Sequence, residues 1–218
     1  MVATETSEGA VVDGRTARKD RNMVAVLDAV LELFIKGDLI PSPEAIAQRS
    51  GVSLRSVYRY LAASRDLVHA AIERHLEQVG PLFALDPLGE GPFGTRVEQF
   101  VTARLRLHQA TAPMARAAQA RTRMRPTPAS EIIKESLNAR RGLLRVQLSR
   151  HFARELATFG PRADVILAAA DALTQIETID WYLIDGGYTL AQTRDALIVG
   201  LERLLAPAAD TGADVGPR

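Results

Sequence analysis

A chain of 218 residues with a net charge of +1 can bury one substantial core, or one core and a small appended domain, and it carries no overall coat of positive charge for nucleic acid or membrane. Having no cysteine excludes disulfides, thiolate metal sites and cysteine nucleophiles. Few aromatics, at 5%, beside abundant Ala and Leu favour helix over strand, so an all-α fold is expected.

The N-terminal segment MVATETSEGAVVDGRTARKD has neither the basic start nor the apolar core of a secretory signal, and residues 1–14 read as a flexible arm. No apolar run approaches the roughly 18 residues that span a bilayer, so a soluble, cytoplasmic protein with no membrane partner is expected. Met23, Leu27, Val30, Leu31 and Phe34 recur at helical spacing and predict a first helix over about 17–36, stopped at Gly37. In GDLIPSPE, Ser42 is placed to cap a second helix from Pro43 to about residue 50, and Gly51 ends it. Ser53 is placed to cap a third helix over 54–61, and Ser64 a fourth over about 65–79.

The third helix is too short to stand alone, so its neighbours must pack it. Two helices joined by a three-residue turn containing Gly form a helix-turn-helix, whose second helix can enter the major groove. The inward side is Ile46, Ala47, Val52 and Val57, and the outward side is Leu54, Arg55, Ser56, Tyr58, Arg59 and Tyr60. The outward groups suit phosphates and base edges, and the positive end of the helix dipole at Ser53 would face phosphate. A solvated surface helix is equally compatible with the spacing. Over 15–75 there are ten Lys or Arg against seven Asp or Glu, a local basic excess. Arg15, Arg18, Lys19 and Arg21 read either as backbone or minor-groove contacts or as a solvated arm.

The Pro/Gly cluster GPLFALDPLGEGPFG over 80–94 marks a boundary between domains at 15–80 and 81–207. Its GEGPFG matches G-x-G-x-x-G, but no strand precedes it and no acid follows at the right distance, so it reads as a linker and not as a dinucleotide site. Helices are predicted over about 94–111, 113–124, 129–159, 162–185 and 189–206, about nine in all, followed by a flexible tail over 208–218. The four histidines lack metal-ligand spacing, and neither a G-x-S-x-G element nor another nucleophile arrangement is present. No metal, cofactor or catalytic residue is expected.

Arg104 projects from an apolar face of the 94–111 helix and, if buried, needs a partner. Two readings stand: an internal ion pair with Glu177 or Asp180, or a cation facing a ligand. A pocket between facing helices would have Arg104 and His108 as its positive end, Thr174, Glu177, Thr178 and Trp181 opposite, and Phe100 and Met114 as apolar wall. With Arg104 free of acids the ligand should be apolar with an anionic or strongly accepting group; with Glu177 neutralising it, the ligand should be neutral. In the last helix Leu190, Arg194, Leu197, Leu201 and Leu204 form a stripe of bundle type, read either as a subunit contact or as core within one chain.

The run VLDAVLELFIKGDLIPSPEAIAQRSGVSLRSVYRYLAASRDLVHAAIERH resembles the N-terminal domain of the TetR family of transcriptional regulators, most specifically in IAQRSGVSLRSVYRYL and the following SRDLV. The resemblance covers about residues 17–75, and WYLIDGGYTLAQTRDALIVGLERLL looks like the last two helices of such proteins. It departs in having SerPro where Thr is common before the second helix, Leu61 where Phe is common and Arg65 where Lys is common. It implies a three-helix helix-turn-helix domain joined to a helical ligand-binding and dimerisation domain. It also implies double-stranded operator DNA, a small-molecule effector and a homodimer through the last two helices as partners. Under it, Ser42, Tyr58, Tyr60 and Arg65 fall at phosphate-contacting positions, and Leu54, Arg55, Ser56 and Arg59 where base edges are read. The implied function is a repressor released from its operator by ligand, acting through the fourth helix. The alternative is an all-helical ligand-binding protein or enzyme without operator DNA.

Overall fold

The structure, a computed structural model, describes residues 14–64, 66–124 and 128–206. Among them are ten α-helices and no strand, as the composition predicts. The chain divides into two compact units between His75 and Leu76, ahead of the Pro/Gly-rich segment. The arm over 1–13, the tail over 208–218, Arg65 and the side chain of Arg15 lie outside the described residues.

In the first unit α1 spans Gly14–Ile35, α2 Pro43–Ser50, α3 Leu54–Ala63, and α4, Leu67–Gln78, begins there. The buried stripe of α1 is Val26, Ala29, Val30 and Phe34, with Met23, Leu27 and Leu31 half-buried at its margin. The helical period is legible in the sequence; its phase is set by packing against α2, whose Ile46 is fully buried. Ser42 accepts the amide of Ala45 at 3.1 Å and so caps α2. Gly51, at φ +69, takes the left-handed turn that closes α2 and returns its amide to the Ala47 carbonyl. The cap of α4 is a correction. Ser64 is extended and closes α3, while the Asp66 carboxylate accepts the amides of Val68 at 2.9 Å and His69 at 3.4 Å, so α4 starts later than expected.

The second unit contains α5 (Phe93–Met124), α6 (Pro128–His151), α7 (Ala153–Ala157), α8 (Ala163–Leu173), α9 (Ile176–Asp180) and α10 (Leu190–Leu205). Contrary to the predicted break, α5 continues through Pro113 for 32 residues. A mid-helix proline costs about 3 kcal/mol, and burial of Thr111, Ala112, Met114 and Ala115 on both sides of it offsets that loss. The predicted 162–185 helix is likewise several pieces. Thr174 donates its hydroxyl back to the Ala170 carbonyl at 3.2 Å, Gln175 becomes extended and starts α9, and Trp181–Asp185 form a π-helical turn. No Gly or Pro announced that break. Thr189 and Gln192 form a capping box at the start of α10.

The core of this unit is built from Val97, Phe100 and Val101 of α5, Leu148 of α6, and Leu197, Leu201 and Leu205 of α10. These α10 leucines have no exposed surface within a single chain. Leu197 and Leu201 are therefore intrachain core, which corrects their reading as a subunit contact, whereas Leu190 of the same stripe is exposed and Arg194 and Leu204 are half-buried.

Candidate nucleic-acid interface and ligand cavity

In the first unit Ile46, Val52 and Val57 are buried and hold α3 against α2. That leaves Leu54, Arg55, Tyr58 and Arg59 exposed and Ser56 half-buried. Tyr58 is 51% exposed and donates its hydroxyl to Glu44 at 3.2 Å; that hydrogen bond and the adjacent charge push its pKa up, so it remains a neutral phenol. Two expected contact residues are placed otherwise. Tyr60 turns inward, is 2% exposed and donates to the Lys19 carbonyl at 3.2 Å, tying α3 to α1. Its spacing of three from Val57 puts it on the buried face. Ser53 occupies the capping position of α3, but its hydroxyl bonds the Ser56 hydroxyl at 3.1 Å and no backbone amide, so the first-turn amides of α3 have no side-chain cap. Ser42, being a cap, has its hydroxyl engaged as acceptor.

Arg18, Lys19 and Asn22 of α1 line one cleft with Gly51, Val52, Ser53, Ser56 and Arg59. No acidic residue lines it. Among the described residues Arg18, Lys19, Arg55 and Arg59 have no carboxylate partner, whereas Arg49 and Lys36 are engaged by Glu32, whose carboxyl Arg49 holds below its usual range. The cleft thus joins three unneutralised cations, two hydroxyls and the amino end of a helix, a set that suits phosphate oxygens.

The second unit has a cavity of about 70 Å3 between α5, α6, α8 and α9. Leu107, Met114, Leu137, Leu144, Ile176 and Ile179 supply much of its apolar wall. Of the expected pocket residues, Arg104, His108, Met114 and Thr174 line it. Phe100 does not; it lies in the core beneath Arg104, whose guanidinium sits 4.5 Å above the ring. Glu177 is exposed and binds Arg141 and, at 2.8 Å, Gln119. Thr178 donates to the Ala172 carbonyl at 2.7 Å, and Trp181 is 52% exposed in a cluster with Tyr182 and Tyr188. The kink at Thr174 breaks the face that the sequence shares among Thr174, Glu177, Thr178 and Trp181. The 129–159 helix was expected among the walls, and the residues by which α6 lines the cavity, not singled out from the sequence, include Leu137 and Leu144, one heptad apart.

Neither expected ion pair of Arg104 forms. Asp180 binds His108 Nε2 at 2.7 Å and Arg116 at 2.8 Å. Arg104 is 6% exposed and donates one hydrogen bond, to the Leu144 carbonyl at 2.8 Å. Burial lowers its pKa to about 10, partly opposed by the charge of Asp171, so it is still a cation at neutral pH.

A second buried arginine, unforeseen from the sequence, is fully engaged. Arg96 is 2% exposed, forms a two-pronged pair with Glu155, and donates to the carbonyls of His151 at 2.6 Å and Gly91 at 3.2 Å. The GEGPFG segment is a fastening loop. Gly89, at φ +74, donates its amide to His151 Nδ1 at 2.9 Å, and a Cβ there would lie 3.4 Å from the Arg150 carbonyl. With Nδ1 accepting, the proton of His151 sits on Nε2 and donates to the Arg96 carbonyl at 3.0 Å. Burial lowers the His151 pKa and keeps the ring neutral.

Among the described residues no group of three His, Asp or Glu side chains could hold a metal ion. No described helix is long and apolar enough to cross a membrane. Compared with models of protein families, with curated proteins and with solved structures, the chain matches none.

Proposed function

We propose that this protein is a sequence-specific DNA-binding transcriptional regulator of the cytoplasm, and that a small molecule bound in the second unit releases it from its operator. The observation that carries the reading is the acid-free cleft where Arg18 and Lys19 of α1 meet Ser56 and Arg59 of α3, beside the exposed Arg55 and Tyr58. Phosphate contacts from Arg18 and Lys19 would position α3 in the major groove, and Arg55 and Arg59 would read base edges. The similarity of 17–75 to TetR-type regulators supports the same assignment and supplies the sign, repression. No catalytic role belongs to this reading.

A palindromic operator needs a two-fold dimer. Leu197 and Leu201 cannot supply its contact, being core, but the outward faces of α8 and α10 can: Val165 is 69% and Val199 56% exposed, with Ala168 and Ala172 beside Val165 on α8. Such a dimer would read half-sites about 34–36 Å apart. Release by ligand requires that the ligand bind the DNA-incompetent arrangement more tightly, by about 5.5 kcal/mol for a 1:99 to 99:1 reversal.

The test is fluorescence anisotropy with labelled duplex from upstream of the protein's own gene. Wild type should bind with strong salt dependence, and Arg55→Ala and Tyr58→Ala should each weaken binding by about 1–3 kcal/mol while remaining folded. Unchanged isotherms for both variants at matched salt would remove α3 from the groove.

A further inference from the structure

The two buried arginines of α5 differ in what the protein provides for them. Arg96 has a carboxylate and two carbonyls. Arg104, equally withdrawn from water, has the Leu144 carbonyl as its one hydrogen-bond acceptor among the described residues, although a guanidinium carries five donors. It lines the cavity, as does Arg140, whose guanidinium lies 6.0 Å from the Phe83 ring, and most of the other polar groups around it are already used. Thr111 donates to the Leu107 carbonyl, Thr174 to the Ala170 carbonyl, His108 is bound to Asp180, and Arg141 to Glu177. Asp171 acts on Arg104 electrostatically, but its carboxylate accepts from Gln175 at 3.0 Å and faces Arg145 at 3.7 Å. A largely buried cation thus makes one hydrogen bond within the described chain and faces a mostly apolar chamber, while the acid that acts on it, Asp171, is shared with Gln175 and Arg145.

We propose that the cavity of the second unit is built for a small monocarboxylate, whose carboxylate takes the unused donors of Arg104 and whose apolar body packs against Leu107, Met114, Leu137, Ile176 and Ile179. The inference rests on the reading of this cavity as the ligand site. Three features set the class. The planar fork of one guanidinium matches a carboxylate in bidentate fashion, and burial leaves the pair poorly screened by salt. The wall is otherwise mostly apolar, which favours a ligand charged at one end only over phosphate or a dicarboxylate. A volume of about 70 Å3, at about 10–15 Å3 for each water-sized centre, holds about five to seven waters, or roughly ten covalently linked non-hydrogen atoms. That admits a medium-length aliphatic acid or a single-ring aromatic acid.

The experiment is calorimetric titration of the full chain, without DNA, with hexanoate, benzoate and phenylacetate and with their primary amides, which keep shape and lose charge. At least one acid should bind about tenfold or more tighter than its amide, and in Arg104→Met that acid's affinity should fall to the level of the amide while amide binding changes little. Equal binding of acids and amides, an Arg104→Met protein that retains the acid preference, or no heat from any acid at about 10 mM would each overturn the proposal. The acid–amide comparison on the unaltered chain decides the matter even if the variant does not fold. Because DNA takes no part, loss of operator binding would leave a positive titration standing, and a failed titration would leave the DNA reading intact.

Discussion

Replacing each buried arginine of α5 by methionine should change stability to very different extents. Arg96→Met strips Glu155 of its partner and leaves the carbonyls of Gly91 and His151 without their donor. Breaking one side of a buried pair costs about 3–5 kcal/mol. Arg104→Met removes a cation whose pKa burial has lowered to about 10, which corresponds to about 3 kcal/mol of unfavourable desolvation relieved. Against that stand one hydrogen bond to the Leu144 carbonyl, about 1–2 kcal/mol, and the stacking on Phe100, about 1–2 kcal/mol. The net change should lie near zero. Urea unfolding followed by Trp181, the one tryptophan and a residue of the second unit, reads both variants. At about 2 kcal/mol per molar, Arg96→Met should lower the midpoint by about 1.5–2.5 M and Arg104→Met by less than about 0.5 M. An Arg104→Met midpoint lowered as far as that of Arg96→Met would make Arg104 a structural fastener and refute the contrast.

Tyr60→Phe should destabilise the first unit by about 1 kcal/mol through loss of its bond to the Lys19 carbonyl, with DNA affinity unaltered at matched salt, whereas Tyr58→Ala should show the reverse pattern in chemical unfolding and anisotropy. His151 has a folded pKa below its unfolded one, so the folded state binds fewer protons. Its contribution is complete above the ordinary histidine value and is lost as pH falls through that value toward the lowered one. Midpoints of the Trp181 transition between pH 8 and 5 should fall accordingly, and a slope that survives in His151→Gln would assign it to another group. Val165→Glu with Val199→Glu should yield folded monomers in sedimentation equilibrium at micromolar concentration, while Leu197→Arg should fail to fold; a dimer surviving the double change would exclude these faces.

The first unit was largely legible because its elements are short and punctuated by residues with one physical use. SerPro starts α2, Gly51 turns left-handed after it, and α3 begins three residues later. What was misplaced there depends on competing partners: Asp66 outreaches Ser64 as a cap, and Tyr60 follows Val57 into the core. In the second unit periodicity misled. Pro113 signals a break that packing overrides, and Thr174 makes one without any punctuating residue. Arg104 stood out as a charge on an apolar face, and whether it was paired turned on side chains far away in sequence. Glu177 is taken by Arg141 and Asp180 by His108 and Arg116. Nothing local marks Arg96, because its carboxylate partner Glu155 and the His151 carbonyl lie 59 and 55 residues away and only the Gly91 carbonyl is near in sequence.

The central claim is that α3 and the cleft beside it read DNA. Selection of bound duplexes from a random-sequence pool, with Arg55→Ala carried in parallel, tests it most directly. One palindrome with half-sites about one duplex turn apart should be enriched, with affinity that falls steeply with salt and with relaxed preference at one position of each half-site in the variant. A pool that stays random through successive rounds, or a palindrome bound identically by the variant, would contradict it.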